Sequence, residues 1–145
     1  MKLKGVECSG KRSGKGELLE EREGAVLHTR VKEAGGIPVV ELEGEIDLST
    51  SPLFKERVYE IIDAGGKDIV IDLNGLSFMD STGLGVLVAV LKKTKSEGGR
   101  VRLVCGRENI RKVFILTGLD KVFSIYDNLQ RCLEDRLKDE EESGG

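Results

Sequence analysis

Residues 69–73, Ile-Val-Ile-Asp-Leu, are apolar on both alternating faces, with Asp72 the single exception. A strand of that kind needs cover above and below, as a central parallel strand in a layered α/β domain has. The flanking segments change period accordingly. Upstream, Phe54, Val58, Ile61 and Ile62 recur at i, i+4, i+7 and i+8, one face of a helix. Ser51 as N-cap with Pro52 at the first helical position marks its start, and Gly65-Gly66 its end. Downstream, a short loop over 74–79 leads into a helix from Ser81 to about Glu97. That helix carries Leu84, Leu87, Val88 and Leu91 on one stripe and stops at Gly98-Gly99.

The remaining segments fit the same scheme. Residues 25–31 and 37–46 are extended and joined by Ala34-Gly35-Gly36; in the second run Val40, Leu42, Gly44 and Ile46 alternate with Glu41, Glu43 and Glu45. That predicts an antiparallel hairpin. Residues 101–105 predict a strand, 108–116 a short helix closed by Thr117-Gly118, and 122–126 a last strand. A final helix, capped by Asp127 or Asn128, carries Leu129, Cys132, Leu133 and Leu137. The order is β-β-α-β-α-β-α-β-α, a single α/β domain with a mixed sheet, its parallel strands joined by right-handed crossovers. The domain is expected over 24–137, a flexible arm over 1–23 and an acidic disordered tail over 138–145.

Composition narrows the function classes. Aromatic residues make up 4% of the chain and tryptophan is absent, so base-stacking platforms for single-stranded nucleic acid are hard to build. The net charge of −3 argues against an electrostatic grip on phosphates, and no direct nucleic-acid partner is expected. Cys8, Cys105 and Cys132 form no CxxC pair, and His28 has no cysteine near it in sequence. Structural zinc is therefore not expected, and a reducing compartment is. The first residues lack an apolar signal core and no later run approaches a membrane span, so the expectation is a cytoplasmic protein without a membrane partner. Residues 5–12, Gly-Val-Glu-Cys-Ser-Gly-Lys-Arg, come close to a phosphate loop. Arg12 stands where the Mg²⁺-binding hydroxyl belongs and no strand precedes, so the match reads as chance.

Loops after parallel strands gather at one sheet edge, which places Asp47, residues 74–81 and residues 106–109 together. There Asp80, Ser81 and Thr82 open the second helix, where first-turn N–H groups point outward and the macrodipole is positive. Gly83 and Gly85 put no side chain beside the hydroxyl, so another macromolecule can approach it. A serine so placed suits a phosphoryl group. The plain alternative is a capping cluster that only starts a helix, with Thr82 as the rival acceptor. Asp47 reads as an Asx-type turn or as a partner contact. An enzyme using Ser81 as nucleophile lacks a nearby histidine and a G-x-S-x-G elbow. Gly83-Leu84-Gly85 lacks the third glycine of a dinucleotide loop, because Val88 stands there. No cofactor, metal site or catalytic residue is expected.

Three blocks carry a resemblance: Gly44-Glu45-Ile46-Asp47; Leu76-Ser77-Phe78-Met79-Asp80-Ser81-Thr82-Gly83-Leu84-Gly85; and Val113-Phe114-Ile115-Leu116-Thr117-Gly118-Leu119. Over residues 24–136 the chain resembles the anti-sigma factor antagonists, bacterial proteins of the STAS domain class. The resemblance implies a partner switch. The unmodified antagonist binds an anti-sigma factor with serine kinase activity and so releases a sigma factor. Phosphorylation from ATP, on the position matching Ser81, ends that binding, and a PP2C-type phosphatase reverses it. It further implies a partner-binding face drawn from Asp47, Ser77, Asp80, Thr82, Gly83, Leu84 and Gly85. The competing function is a STAS domain that senses a ligand or serves as a scaffold in another bacterial signalling assembly.

Overall fold

The structure, a computed structural model, describes residues 12–13, 17–22 and 25–144, with side chains from 26 to 138. In chain order these form β1 (Arg12–Ser13), β2 (Glu17–Arg22), β3 (Ala25–Ala34), β4 (Ile37–Ile46), α1 (Ser51–Asp63), β5 (Asp68–Met79), α2 (Ser81–Ser96) and β6 (Arg100–Val104). Helix α3 (Glu108–Thr117), a 3-10 turn (Leu119–Lys121), β7 (Ser124–Tyr126) and α4 (Leu129–Gly144) complete the chain. The strands lie side by side in sequence order. From β1 to β4 neighbours are antiparallel; β4, β5, β6 and β7 are parallel.

Alternation along the strands explains the layers. Val40, Leu42, Ile69, Ile71, Leu73 and Leu103 point to one face and pack with Phe54, Val58 and Ile62 of α1, Leu84, Leu87 and Val90 of α2, and Ile110 and Phe114 of α3. Val39, Val70 and Val104 point the other way and pack with Cys132, Leu129 and Leu133 of α4. Burying each such aliphatic side chain contributes about 1.5–3 kcal/mol, and this core is aliphatic apart from Phe54 and an edge-to-face Phe114–Phe123 pair. The mixed sheet, the two-sided cover of the central strand and the order from β3 onward match the expectation from sequence.

Three details differ. Residues 74–79 are not a loop: β5 runs unbroken to Met79 and pairs with β4 to Ile46. At the two register shifts Gly75 lets the β4 and β5 backbones close up, while Gly44, at φ 114°, lies against the Val26 carbonyl of β3. A Cβ at Gly75 would lie 2.4 Å from the Leu42 carbonyl oxygen. Helix α1 starts one residue early, with Thr50 at the cap, Ser51 first and Pro52 second, and neither Thr50 nor Ser51 caps through its side chain. The last strand is shortened to Ser124–Tyr126, after the 3-10 turn.

The termini also depart from expectation. The arm expected over 1–23 contains β2, which pairs with β3 from Leu18↔Thr29 to Arg22↔Ala25. An open strand edge offers main-chain partners whatever the side chains. The near-match to a phosphate loop and Cys8 lie outside the described residues. The acidic end is not an irregular tail, because α4 continues through it to Gly144; its Glu-rich run is a good helix former and contains no proline.

Candidate functional site

Three segments meet at the C-terminal edge of the parallel strands. The Asp80 amide donates to the Ile46 carbonyl at 3.1 Å, which sets the start of α2 beside the turn that follows β4. Asn74 accepts from the Gly106 amide at 2.6 Å through its side chain and from Arg107 Nε at 2.6 Å through its carbonyl. Asn109 Nδ2 reaches the Ser77 carbonyl at 3.2 Å, and the Ser77 hydroxyl donates to the Gly44 carbonyl at 3.2 Å. The Asp47 turn, the end of β5 and the start of α3 are thereby tied into one surface.

Asp47 organises the first part of it. Its carboxylate accepts from the Ser49 amide at 2.8 Å, the Ser49 hydroxyl at 2.7 Å and the Thr50 amide at 3.2 Å. Its amide donates to Thr50 Oγ1, which in turn donates to the Glu45 carbonyl. These bonds favour the ionised form and lower its pKa, the Ser49 hydroxyl foremost, against a partial desolvation that raises it. Asp47 is thus an Asx turn that launches α1, and it remains half-exposed.

Asp80 caps α2 as its position suggests. One oxygen, Oδ1, accepts both the Thr82 amide at 2.9 Å and the Thr82 hydroxyl. Ser81 is exposed, and its hydroxyl has no hydrogen-bond partner among the described residues. The sequence pairs two adjacent hydroxyls; the structure separates them into one held and one bare.

The glycines that follow divide as well. A Cβ on Gly83 would lie 2.9 Å from Ile46 Cγ2, so this buried glycine is required by packing, whereas nothing stands within 4 Å of a Cβ on exposed Gly85. Leu84, expected on the partner-binding face, is 5% exposed and belongs to the core, and Gly83 is buried with it. Neither can present itself to a partner. Of the expected face, Asp47, Ser77, Asp80, Thr82 and Gly85 remain at the surface, beside Ser81.

Two residues of this edge were missed by sequence reasoning. Leu48, directly after Asp47, is 76% exposed, and Phe78, two residues before Asp80, is 48% exposed. Leu48 stands two residues after buried Ile46 and Phe78 two after buried Leu76, so the period-two pattern reads both as core and carries no signal of their exposure.

Among the described residues no cluster of three or more His, Cys, Asp or Glu side chains is arranged to hold a metal ion, and no helix is long and apolar enough to cross a membrane. A pocket of about 270 Å³ lies around His28, Arg30, Glu41, Glu43, Asp72 and Asn74 and does not include Ser81. Asp72 stands there opposite Glu41, and burial raises its pKa.

The sequence matches the STAS domain family over residues 28–132. It is 37% identical over 86 residues to the anti-sigma-B factor antagonist of Bacillus subtilis, covering 59% of this chain and 78% of that protein. The crystal structure of an anti-sigma factor antagonist from Mycobacterium paratuberculosis superposes with a TM-score of 0.70 at 33% identity, over 75% of this chain and 92% of that one. The Bacillus cell fate determinant SpoIIAA in its phosphorylated form superposes with a TM-score of 0.59 at 25% identity, over 75% and 98%.

Proposed function

The chain belongs to the STAS domain family, and from that premise we propose that it is an anti-sigma factor antagonist whose binding is switched off by phosphorylation of Ser81. The observation that carries this reading is the bare, exposed Ser81 hydroxyl on the first turn of α2, at an edge where Leu48 and Phe78 offer apolar surface. The unmodified chain docks on an anti-sigma factor with serine kinase activity through this edge and so frees a sigma factor. A PP2C-type phosphatase restores the docking form. The protein itself is a cytoplasmic regulator, and the catalysis belongs to its partners.

Electrostatics makes such a switch work without a change of fold. A neutral hydroxyl enters an interface cheaply. A phosphate adds about −1.5 to −2 charge next to Asp80 and near the Asp47 turn. Closing an interface over that charge strips its water, at several kcal/mol unless it is paired. About 3–4 kcal/mol already lowers affinity several-hundredfold. The helix end returns only about 0.3–1 kcal/mol to an exposed anion, so eviction wins. The structure of SpoIIAA in a phosphorylated form supports a modified state on this fold.

The test is intact-mass measurement after incubation with the cognate anti-sigma kinase and Mg–ATP. One phosphate is expected on the wild-type chain and none on Ser81→Ala. An unmodified wild-type chain that binds no anti-sigma factor overturns the reading.

A further inference from the structure

We propose that Asp80 selects the phosphoryl acceptor: by holding both the amide and the hydroxyl of Thr82 on one carboxylate oxygen, it withdraws Thr82 and leaves Ser81 as the one nucleophile of the α2 start. The proposal rests on the reading of Ser81 as the modified residue and adds how two neighbouring hydroxyls are told apart.

Transfer joins the acceptor oxygen to the γ-phosphorus of ATP while the bond from that phosphorus to the β,γ-bridging oxygen breaks. ADP leaves, and the hydroxyl proton passes to a base on the kinase, which also supplies Mg–ATP. The acceptor oxygen must therefore face the incoming phosphate with a free lone pair and a proton that the kinase can reach. Ser81 meets both conditions, being exposed with no partner for its hydroxyl among the described residues. Thr82 fails on the proton. It is half-buried, its proton is committed to Asp80 Oδ1, and that oxygen also carries the helix cap through the Thr82 amide at 2.9 Å. A phosphate drawn up to Thr82 would meet the Asp80 carboxylate, a like charge. Kinase and acceptor sites one residue apart differ by only a few ångströms, within reach of a mobile catalytic centre. Local chemistry on this chain then decides the choice.

The same hydrogen bond could be read in the opposite sense, with Asp80 as a base that activates Thr82. The two readings predict opposite effects of removing the carboxylate. Glycine is tolerated as a helix cap, so Asp80→Gly removes the oxygen while keeping the start of α2. Asp80→Asn removes the charge while keeping an oxygen that can accept from Thr82.

The experiment incubates full-length variants with the cognate anti-sigma kinase and Mg–ATP, locates phosphate by tandem mass spectrometry, and checks folding by circular dichroism. The wild-type chain is expected to carry phosphate on Ser81 alone, and Ser81→Ala to carry none. The Asp80→Gly/Ser81→Ala double variant is expected to gain phosphate on Thr82, at least tenfold over Ser81→Ala. Asp80→Asn/Ser81→Ala should stay blank, because the amide oxygen still holds the hydroxyl. A merely structural role for Asp80 would not move phosphate from one residue to the next. Phosphate on Thr82 in Ser81→Ala overturns the proposal, and so does a folded Asp80→Gly/Ser81→Ala chain that stays blank while the wild-type chain is labelled on Ser81. A wild-type chain that accepts no phosphate at all defeats the functional reading and the selection with it.

Discussion

A methyl group on Gly83 would sit 2.6 Å from Cγ of Met79, the last residue of β5, so the first turn of α2 rests directly on the end of the strand that feeds it. Gly85, one half-turn on, meets nothing within 4 Å. Gly83→Ala is therefore expected to destabilise by about 1–3 kcal/mol through overpacking. Gly85→Ala should leave stability unchanged or raise it by up to about 1 kcal/mol, since alanine is the better helix former. Urea unfolding of the two variants checks this. Equal losses would remove the assignment of Gly83 to packing and Gly85 to open surface.

Ser81→Asp places a fixed charge where the phosphate would sit. Ser81 is exposed and outside the core, so the fold should be kept and the unfolding free energy should stay within about 0.5 kcal/mol of the wild-type value. Affinity for the anti-sigma partner should fall by at least tenfold, short of the several-hundredfold expected of phosphate because aspartate carries half its charge. Calorimetry reads the affinity directly. A folded variant binding as tightly as the wild type would defeat the electrostatic argument.

Leu48 and Phe78 stand out of the fold at 76% and 48% exposure, on the two segments that flank the helix start. Apolar anchors of this kind dominate interface energetics when a partner buries them. Leu48→Ala and Phe78→Ala are each expected to cost about 1–2 kcal/mol of binding, roughly a five- to thirtyfold loss of affinity, with little change in unfolding free energy. If both variants bind as the wild type does, the docking edge lies elsewhere.

Legibility of the sequence followed the range of the interactions involved. The start of α2 could be read at once, because Asp80 and Thr82 settle it within two residues. The two-sided core of β5 was equally plain, since Ile69, Val70 and Ile71 are apolar whichever face they take. Residues 74–79 misled because Asn74-Gly75 has turn chemistry. What makes this segment a strand is pairing with β4 across two bulges, a contact some 30 residues away in sequence. Leu84 belonged to the apolar stripe with Leu87 and Leu91, and its place in that stripe outweighs its place in the conspicuous Gly-Leu-Gly block. The exposure of Leu48 and Phe78 depends on tertiary context that no local pattern encodes.

Asp47 offers a pH signature that separates its two roles. The Ser49 and Thr50 hydrogen bonds hold its folded-state pKa below the ordinary carboxylate value. A lowered carboxylate contributes stability that is present above the unfolded-state value and is lost as pH falls through the folded-state value. Asp47→Ala should therefore lower the melting temperature at neutral pH, and the gap to the wild type should close as acid protonates the carboxylate in the folded chain. Asp47→Asn keeps an oxygen for the Ser49 and Thr50 donors and should lose less. That makes it the variant for binding measurements, because the turn persists while the charge is gone. A tenfold weaker grip on the anti-sigma partner by Asp47→Asn, with the melt nearly unchanged, would place the carboxylate in direct contact with the partner. Wild-type affinity would confine Asp47 to launching α1.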